Sequence, residues 1–366
     1  MSLALRALYS LQFMTYATTA HAASVLVQSA LKLRAGERVV LVEDSDCVEV
    51  ADAIAGACEA CGAWVKRCRL DRMLTGGGSP RPHKVMPELL LLALHDADAS
   101  VFVASSPPAE LSMRQALLHV VRQRRLRHAH MPGITEPTFT AGMRLDYAQV
   151  QRLGARVLTR MAGARMLLTE SPAGTSLMVA LSPEARWLAQ LGVLEAGEWG
   201  NLPAGALYTS PSDVSGVFVA DASLGEFFGA REGLLRPNPV RFLIDGGRVV
   251  DVQARSPQLR RDIMSMLAVS PNSDRVGLVA IGVNAGIDQP MGDVLLDQNV
   301  PGLHIGIGDP AARSTGAGWS APTCFAACQA GSRVLVDGEL VAEQGRIVLP
   351  TRTRMPAVRI HTPVPG

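Results

Sequence analysis

The chain has 366 residues, enough for two domains that each bury a core. It is 48% hydrophobic and 19% charged, with 35 Lys plus Arg against 33 Asp plus Glu. A net charge of +2 is too balanced to indicate nucleic acid or an anionic membrane as a partner, and no apolar run is long enough to span a bilayer.

Met1 to Ala23 ends in Ala20-His-Ala-Ala23, which resembles a signal-peptide cleavage site, but Ser10, Gln12, Thr15, Thr18 and Thr19 interrupt the apolar region. The segment therefore reads as structural, part of a helix running to Leu33 and stopped at Gly36. Arg38 to Glu43 reads as a strand, Asp44-Ser-Asp46 as the cap of a helix from Cys47 to Cys61 closed by Gly62, and Trp64 to Leu70 as a second strand. Such a strand–helix–strand unit predicts a parallel sheet with helices on both faces. Gly76-Gly77-Gly78 lacks the Lys-Ser/Thr of a phosphate loop, so Thr75 to Pro80 is a linker. A helix over Val85–His95, a strand over Ala99–Ala104, a helix over Leu111–Arg127, a crossing loop from His130 and a helix over Leu145–Ala162 follow. The basic run Arg122–His128 reads as a solvated helix end.

The six cysteines, Cys47, Cys58, Cys61, Cys68, Cys324 and Cys328, show no disulfide-scaffold spacing, which predicts a reducing, cytoplasmic setting. Cys58 and Cys61 lack a second pair at zinc-ribbon spacing and read as packed helix cysteines. From Ala164 the pattern becomes β-rich, with hairpin signals at Ser171-Pro-Ala-Gly174, Asp245-Gly246-Gly247 and Asp337-Gly338. The expected organisation is an α/β domain over 1–163 and a β-rich α+β domain over 164–366.

Three stretches of the second half are distinctive: Gly200-Asn-Leu-Pro-Ala-Gly-Ala-Leu-Tyr-Thr-Ser-Pro211, Gly277-Leu-Val-Ala-Ile-Gly-Val-Asn284 and Asp297-Gln-Asn-Val-Pro-Gly-Leu-His304. They resemble the metal-binding core of the thermophilic aminopeptidase T/S family, leucyl-aminopeptidase-like metallopeptidases with a dihydroxypyridine dioxygenase branch. The first is similar to a Gly-Asn-x-Pro-x-Gly-Glu-x-x-Thr-x-Pro signature, with Ala206 where the family has a ligand glutamate. The resemblance sets Leu278 at a second ligand glutamate, Gln298 at an acidic position, His304 at a retained histidine, and Cys324 and Ala326 at a His-x-Asp pair.

Ala206, Leu278 and Ala326 donate nothing to a metal and Gln298 is neutral, so neither a dinuclear zinc or cobalt site nor a mononuclear iron site is expected, and no cofactor. His304 reads either as a buried histidine bonded to a carbonyl or as the partner of a Cys324 thiolate; Asp309 either ends its strand or points into the cleft. The resemblance implies a cleft framed by Asn201, Ala206, Leu278, Asn284, Gln298, His304, Asp309, Cys324 and Ala326 that binds a peptide without cleaving it. It is compatible with a precursor-peptide-binding protein of ribosomal peptide natural-product biosynthesis, serving a partner enzyme. An enzyme of altered chemistry, hydrolase or dioxygenase-like, is the alternative. The resemblance further implies a homodimer formed through the C-terminal β domain, with Val217-Phe-Val-Ala220 offering apolar surface.

Overall fold

The computed structural model describes residues 18–73, 82–105 and 107–349. The readings of the residues before Thr18 and of the Thr75–Pro80 loop lie outside them. Thr18 caps helix α1 (Thr19–Val25) by accepting the His21 N–H at 3.2 Å, and a π-helical segment carries the helix on to Ala30. The chain then alternates through β1 (Arg38–Glu43), α2 (Val48–Ala60), β2 (Trp64–Arg69), α3 (Glu88–His95), β3 (Ala99–Phe102), α4 (Leu111–Arg124) and β4 (Arg127–His130). Gly62, at φ +82°, ends α2 as its pattern predicts.

At the end of α4 the sequence reading needs correction. Arg125 adopts φ +56° and closes the helix, and Arg127–His130, read as helix end and loop, is a strand. Four residues with two histidines carry no apolar run, so only pairing with neighbouring strands, β3 among them, defines this strand. Accordingly, the basic run divides between the end of α4 and β4, where Arg127 pairs with Glu37 at 2.7 Å.

Next come α5 (Glu136–Gly142), α6 (Tyr147–Met161), β5 (Met166–Glu170), β6 (Ser176–Ala180), β7 (Leu188–Gln190) and β8 (Trp199–Asn201). The expected boundary at 163 falls in the turn between α6 and β5. β8 nevertheless returns to the first sheet, whose parallel order is β2-β1-β3-β4-β8.

The remaining strands are β9 (Ala206–Thr209), β10 (Asp213–Ala220), β11 (Val240–Asp245), β12 (Arg248–Gln253), β13 (Val276–Gly282), β14 (Gly302–Gly308), β15 (Cys324–Ala327), β16 (Arg333–Val336), β17 (Glu339–Glu343) and β18 (Arg346–Ile347). Helices α7 (Glu226–Glu232), α8 (Pro257–Leu267), α9 (Val294–Asp297) and α10 (Ala312–Thr315) interrupt them. They build an eight-stranded antiparallel sheet, β12-β11-β10-β6-β5-β16-β17-β18, and a five-stranded one, β15-β14-β13-β9-β7. The architecture is an α/β part with a parallel sheet and a β-rich part with antiparallel sheets, as the sequence indicates. Val217–Ala220, expected at the surface, sits in the central strand β10; Phe218, Val219 and Ala220 are buried and Phe218 pairs with Phe242.

One continuous apolar cluster runs through both parts, from Leu26 and Ile54 through Tyr147 and Leu191 to Phe218 and Ile305. The segment Leu202–Gly205 crosses it and would bury unpaired backbone groups without partners. Tyr147 Oη accepts the Ala204 N–H at 3.1 Å, Asn284 Nδ2 donates to Ala204 O at 2.8 Å, and Asn299 Nδ2 donates to Pro203 O at 3.0 Å. A Cβ on Gly142 would lie 1.9 Å from Pro203 Cγ, so α5 reaches this segment only because residue 142 is glycine. We predict that Tyr147→Phe, which orphans the Ala204 N–H, lowers stability by about 1–3 kcal/mol; the check is a lower urea midpoint with unchanged m-value.

Candidate functional site

Directly paired residues of neighbouring strands project to the same side of a sheet, so strand register assigns the face. In the five-stranded antiparallel sheet Ala206 pairs with Gly282 and Gly282 with Gly302. Tyr208 pairs with Ala280 and Ala280 with His304, while Leu278 pairs with Gly306 and Gly306 with Ala326. Cys324 pairs with Gly308. Five of the residues singled out in the sequence, Ala206, Leu278, His304, Cys324 and Ala326, therefore share one face. The other face carries Leu207, Val279, Ile281, Leu303, Ile305, Ile307 and Phe325, all buried in the core.

The shared face is covered at one end and open at the other. A Cβ on Gly282 would lie 1.9 Å from Val300 O, so the Asn299–Val300 backbone lies directly over that end. At Gly306 the nearest atoms to such a Cβ are Leu278 Cβ at 3.1 Å and Cys324 Sγ at 3.7 Å, both from the same face. Tyr208, Leu278, Ala280 and Ala326 are half-buried and Cys324 is exposed, giving a floor that solvent reaches.

His304 belongs to the covered end. It is 1% exposed, its Nε2–H donates to Val300 O at 2.9 Å, and its Nδ1 accepts the Gln329 N–H at 3.4 Å. Both ring nitrogens are occupied and the tautomer is set by those partners. Burial lowers its pKa to about 4. Cys324 lies two rows away, opposite Gly308, and no hydrogen bond joins it to His304. The residue is exposed at the surface, yet desolvation by the surrounding protein, together with the Asp309 carboxylate, pushes its thiol up to about 12. A thiolate–imidazole pair does not form.

The other sequence candidates lie off this face. Asn201 pairs with His130 at the carboxyl end of the parallel sheet. Asn284 is 1% exposed and bonded to Gly142 O, Ala204 O and the Gly286 N–H, a clamp rather than a cleft residue. Gln298 caps α9, half-buried. Asp309 turns the chain after β14, with its Oδ1 on the Ala321 N–H at 3.4 Å. Cys58 is buried at the end of α2, and Cys61 Sγ donates to Cys58 O at 3.0 Å. The sequence reading missed Tyr147 and Asn299; the Asp146 cap and the helical spacing of Tyr147, Val150, Val157 and Met161 mark a buried helix face, but nothing local shows what Tyr147 bonds.

A parallel α/β sheet joined to two antiparallel sheets, with the positions that the resemblance sets at ligands on one sheet face, defines an aminopeptidase-like fold. The chain belongs to the thermophilic metalloprotease (M29) family, whose model matches residues 148–337. Its fold is similar to the solved structures of 2,5-dihydroxypyridine dioxygenase from Pseudomonas putida KT2440 and of wild-type AmpT from Thermus thermophilus. The first is 15% identical over 91% of this chain and 97% of that one, with a TM-score of 0.63. The second is 17% identical over 90% of this chain and 99% of that one, with a TM-score of 0.62. No curated protein matches the chain.

The family name implies a metal, and the donor set does not fit one. Ala206, Leu278 and Ala326 have no donor atoms, His304 has both nitrogens engaged, and Cys324 is then a single thiol, fewer ligands than a divalent metal needs. Among the described residues no three His, Cys, Asp or Glu side chains converge as a ligand group. Among the described residues no helix is long and apolar enough to cross a membrane.

Burial also lowers His128 to about 3 and His130 well below the ordinary 6.5. A histidine held neutral in the fold contributes stability that is complete above pH 6.5 and lost as pH falls toward its folded pKa. Asp297, raised by burial to about 6, acts in the opposite sense, its contribution falling as pH rises from 3.8 to 6. Asp221 is likewise raised by burial; three imidazoles outweigh these two carboxyls, so we predict a net loss of stability between pH 7 and pH 5, each proton of difference being worth about 1.4 kcal/mol per pH unit. Urea midpoints across that range test it, and a flat profile would contradict the assignment.

Proposed function

We propose that the chain is a peptide-binding protein on an M29 aminopeptidase scaffold, without metal-dependent hydrolysis. The observation that carries this reading is the composition of the open floor: Tyr208, Leu278, Ala280, Gly306, Cys324 and Ala326 project or lie on one accessible sheet face, apolar where the family resemblance sets charged ligands. Such a floor binds by burying side chains, at about 25 cal/mol per Å² of apolar area before the costs of ordering. Recognition falls to the face and not to the β15 edge, which Ala222–Gly225 already covers: the Gly225 N–H donates to Ala326 O at 2.8 Å and the Cys328 N–H to Ser223 O at 2.9 Å. The natural setting we favour is a pathway that modifies a ribosomally made precursor peptide, held here for a partner enzyme in the cytoplasm. The enzymatic alternative through Cys324 and His304 is not favoured, because the two side chains do not meet.

No turnover of amino-acid anilides or short peptides is expected with added zinc, cobalt or manganese. A rate on the order of 1 per second would overturn the reading, as would stoichiometric metal in the intact protein. Binding is read by calorimetry on peptides selected from a random library. Ala326→Trp, on the half-buried floor, is expected to abolish binding in a folded protein, whereas His304→Ala, at the covered end, weakens it only modestly. Ala206 is a poorer site for the same test, since at 5% exposure a tryptophan there disrupts the sheet.

We also propose a homodimer, formed on the outer face of the eight-stranded sheet. Met166, Met178 and Leu243 are exposed there, and the register sets Leu168 beside Met178 and Val217 beside Leu243. Sedimentation at micromolar concentration is expected to give a dimer that Met178→Lys converts to monomer; a monomeric wild type refutes this.

A further inference from the structure

Helix α4 lies over the face of the parallel sheet that carries Val40, Val42 and Phe102, with its own Met113, Leu117 and Val121 in the same apolar cluster. Register places Ser100, His128, His130, Trp199 and Asn201 on that face. Ser100 Oγ meets His128 Nδ1 at 2.8 Å, and His128 Nε2 meets His130 Nδ1 at 3.1 Å, a buried polar chain ending at His130. The His130 ring lies edge-on to Trp199, with centroids 5.7 Å apart, and near enough to Arg114 of α4 to feel its charge.

Arg114 is out of balance with these surroundings. Its residue is 9% exposed, yet its Nε–H has no acceptor, and its one ion-pair partner among the described residues is Glu226, at 3.5 Å. The Glu226 side chain is itself 64% exposed. The Trp199 Nε1–H beside His130 is also buried without an acceptor. A guanidinium presents five donors in a fork that matches a carboxylate, and a buried cation without close partners is costly. A buried guanidinium whose Nε–H lacks an acceptor and whose one described counter-ion is largely exposed is suited to take a further acceptor. Glu226 directly follows Gly225, whose N–H bonds Ala326 O, so the guanidinium stands just beyond the β15 edge of the apolar floor.

We propose that Arg114 receives the terminal carboxylate of a bound peptide, and that Glu226 is an intramolecular placeholder displaced by it. The assignment rests on the peptide-binding reading for the source of the carboxylate. The peptide would then lie across the floor with its carboxyl end toward α4.

The test uses the full chain and three probes: an N-acetylated apolar tripeptide acid, its carboxamide, and an amidated tripeptide with an internal glutamate. The acid is expected to bind at least about tenfold tighter than the carboxamide, the worth of a charge-assisted hydrogen bond. The glutamate peptide is expected to match the carboxamide; if it matches the acid, the source of the carboxylate is a side chain and the terminal assignment falls. Arg114→Met should abolish the preference while its Tm stays equal or rises, because a buried cation compensated only by an exposed carboxylate is removed. Glu226→Gln, an exposed change, should strengthen binding of the acid about threefold, the worth of a surface ion pair. A large loss of Tm or of folding in Arg114→Met would mark Arg114 as a structural ion-pair member and overturn the proposal. Equal binding of acid and carboxamide that Ala326→Trp still abolishes would sink the carboxylate site and leave the peptide reading intact. If none of the probes binds at roughly 10 mM, both fail.

Discussion

The hydrogen-bonding of Leu202–Gly205 is the constraint on which the rest of the structure depends. This segment leaves the parallel sheet at β8 and enters the antiparallel sheet at β9, so it must pass through the apolar cluster with its peptide groups satisfied. Tyr147 from α6, Asn284 after β13 and Asn299 after α9 supply the partners. Three parts distant in sequence are thereby held to one short segment. The position of β13 and β14 relative to β9, and with it the composition of the floor, follows from that clamp. Gly205 belongs to the same constraint: at φ +137°, with a Cβ 2.5 Å from Asn284 Cβ, only glycine fits.

The floor carries alanine and leucine at positions that the sequence resemblance sets at metal ligands. A metal centre needs carboxylates and imidazoles whose burial is offset by the cation they hold. Without the cation the same side chains would be uncompensated charges, so alanine and leucine at those positions are compatible with a stable sheet. His304 is kept neutral and satisfied by its hydrogen bonds to Val300 and Gln329. Asp297 likewise accepts the Met291 and Gly292 N–H groups at 2.8 and 3.0 Å and serves the loop before α9. Arg114 is the exception in this pattern, a buried charge that the folded chain leaves partly unanswered.

The regular elements were largely legible in the sequence. Apolar runs and alternation marked β1, β2, β3 and the hairpin strands of the C-terminal half, because those patterns are set by local periodicity and turn chemistry. Where strands were short and polar the reading failed: Arg127–His130 looks like a helix end, and Trp199–Asn201 is three residues whose identity as a strand comes only from pairing with β4. Asn284 shows the same limit for the site. A polar residue at a strand end is a reasonable cleft candidate, yet its amide is consumed by carbonyls 80 and 142 residues away in sequence.

Local pattern thus determined the element order, the change from α/β to β-rich architecture and the motifs around Ala206, Leu278 and His304 that carry the family resemblance, since each is written in consecutive residues. Which of these side chains share a face was decided by strand register, and register is settled by pairings between segments as distant as Tyr208 and Ala280. The isolation of Cys324 from His304, the clamp at Asn284 and the exposed counter-ion of Arg114 are likewise properties of long-range packing. No local sequence signal encodes them, because each depends on where two remote parts of the chain come to rest.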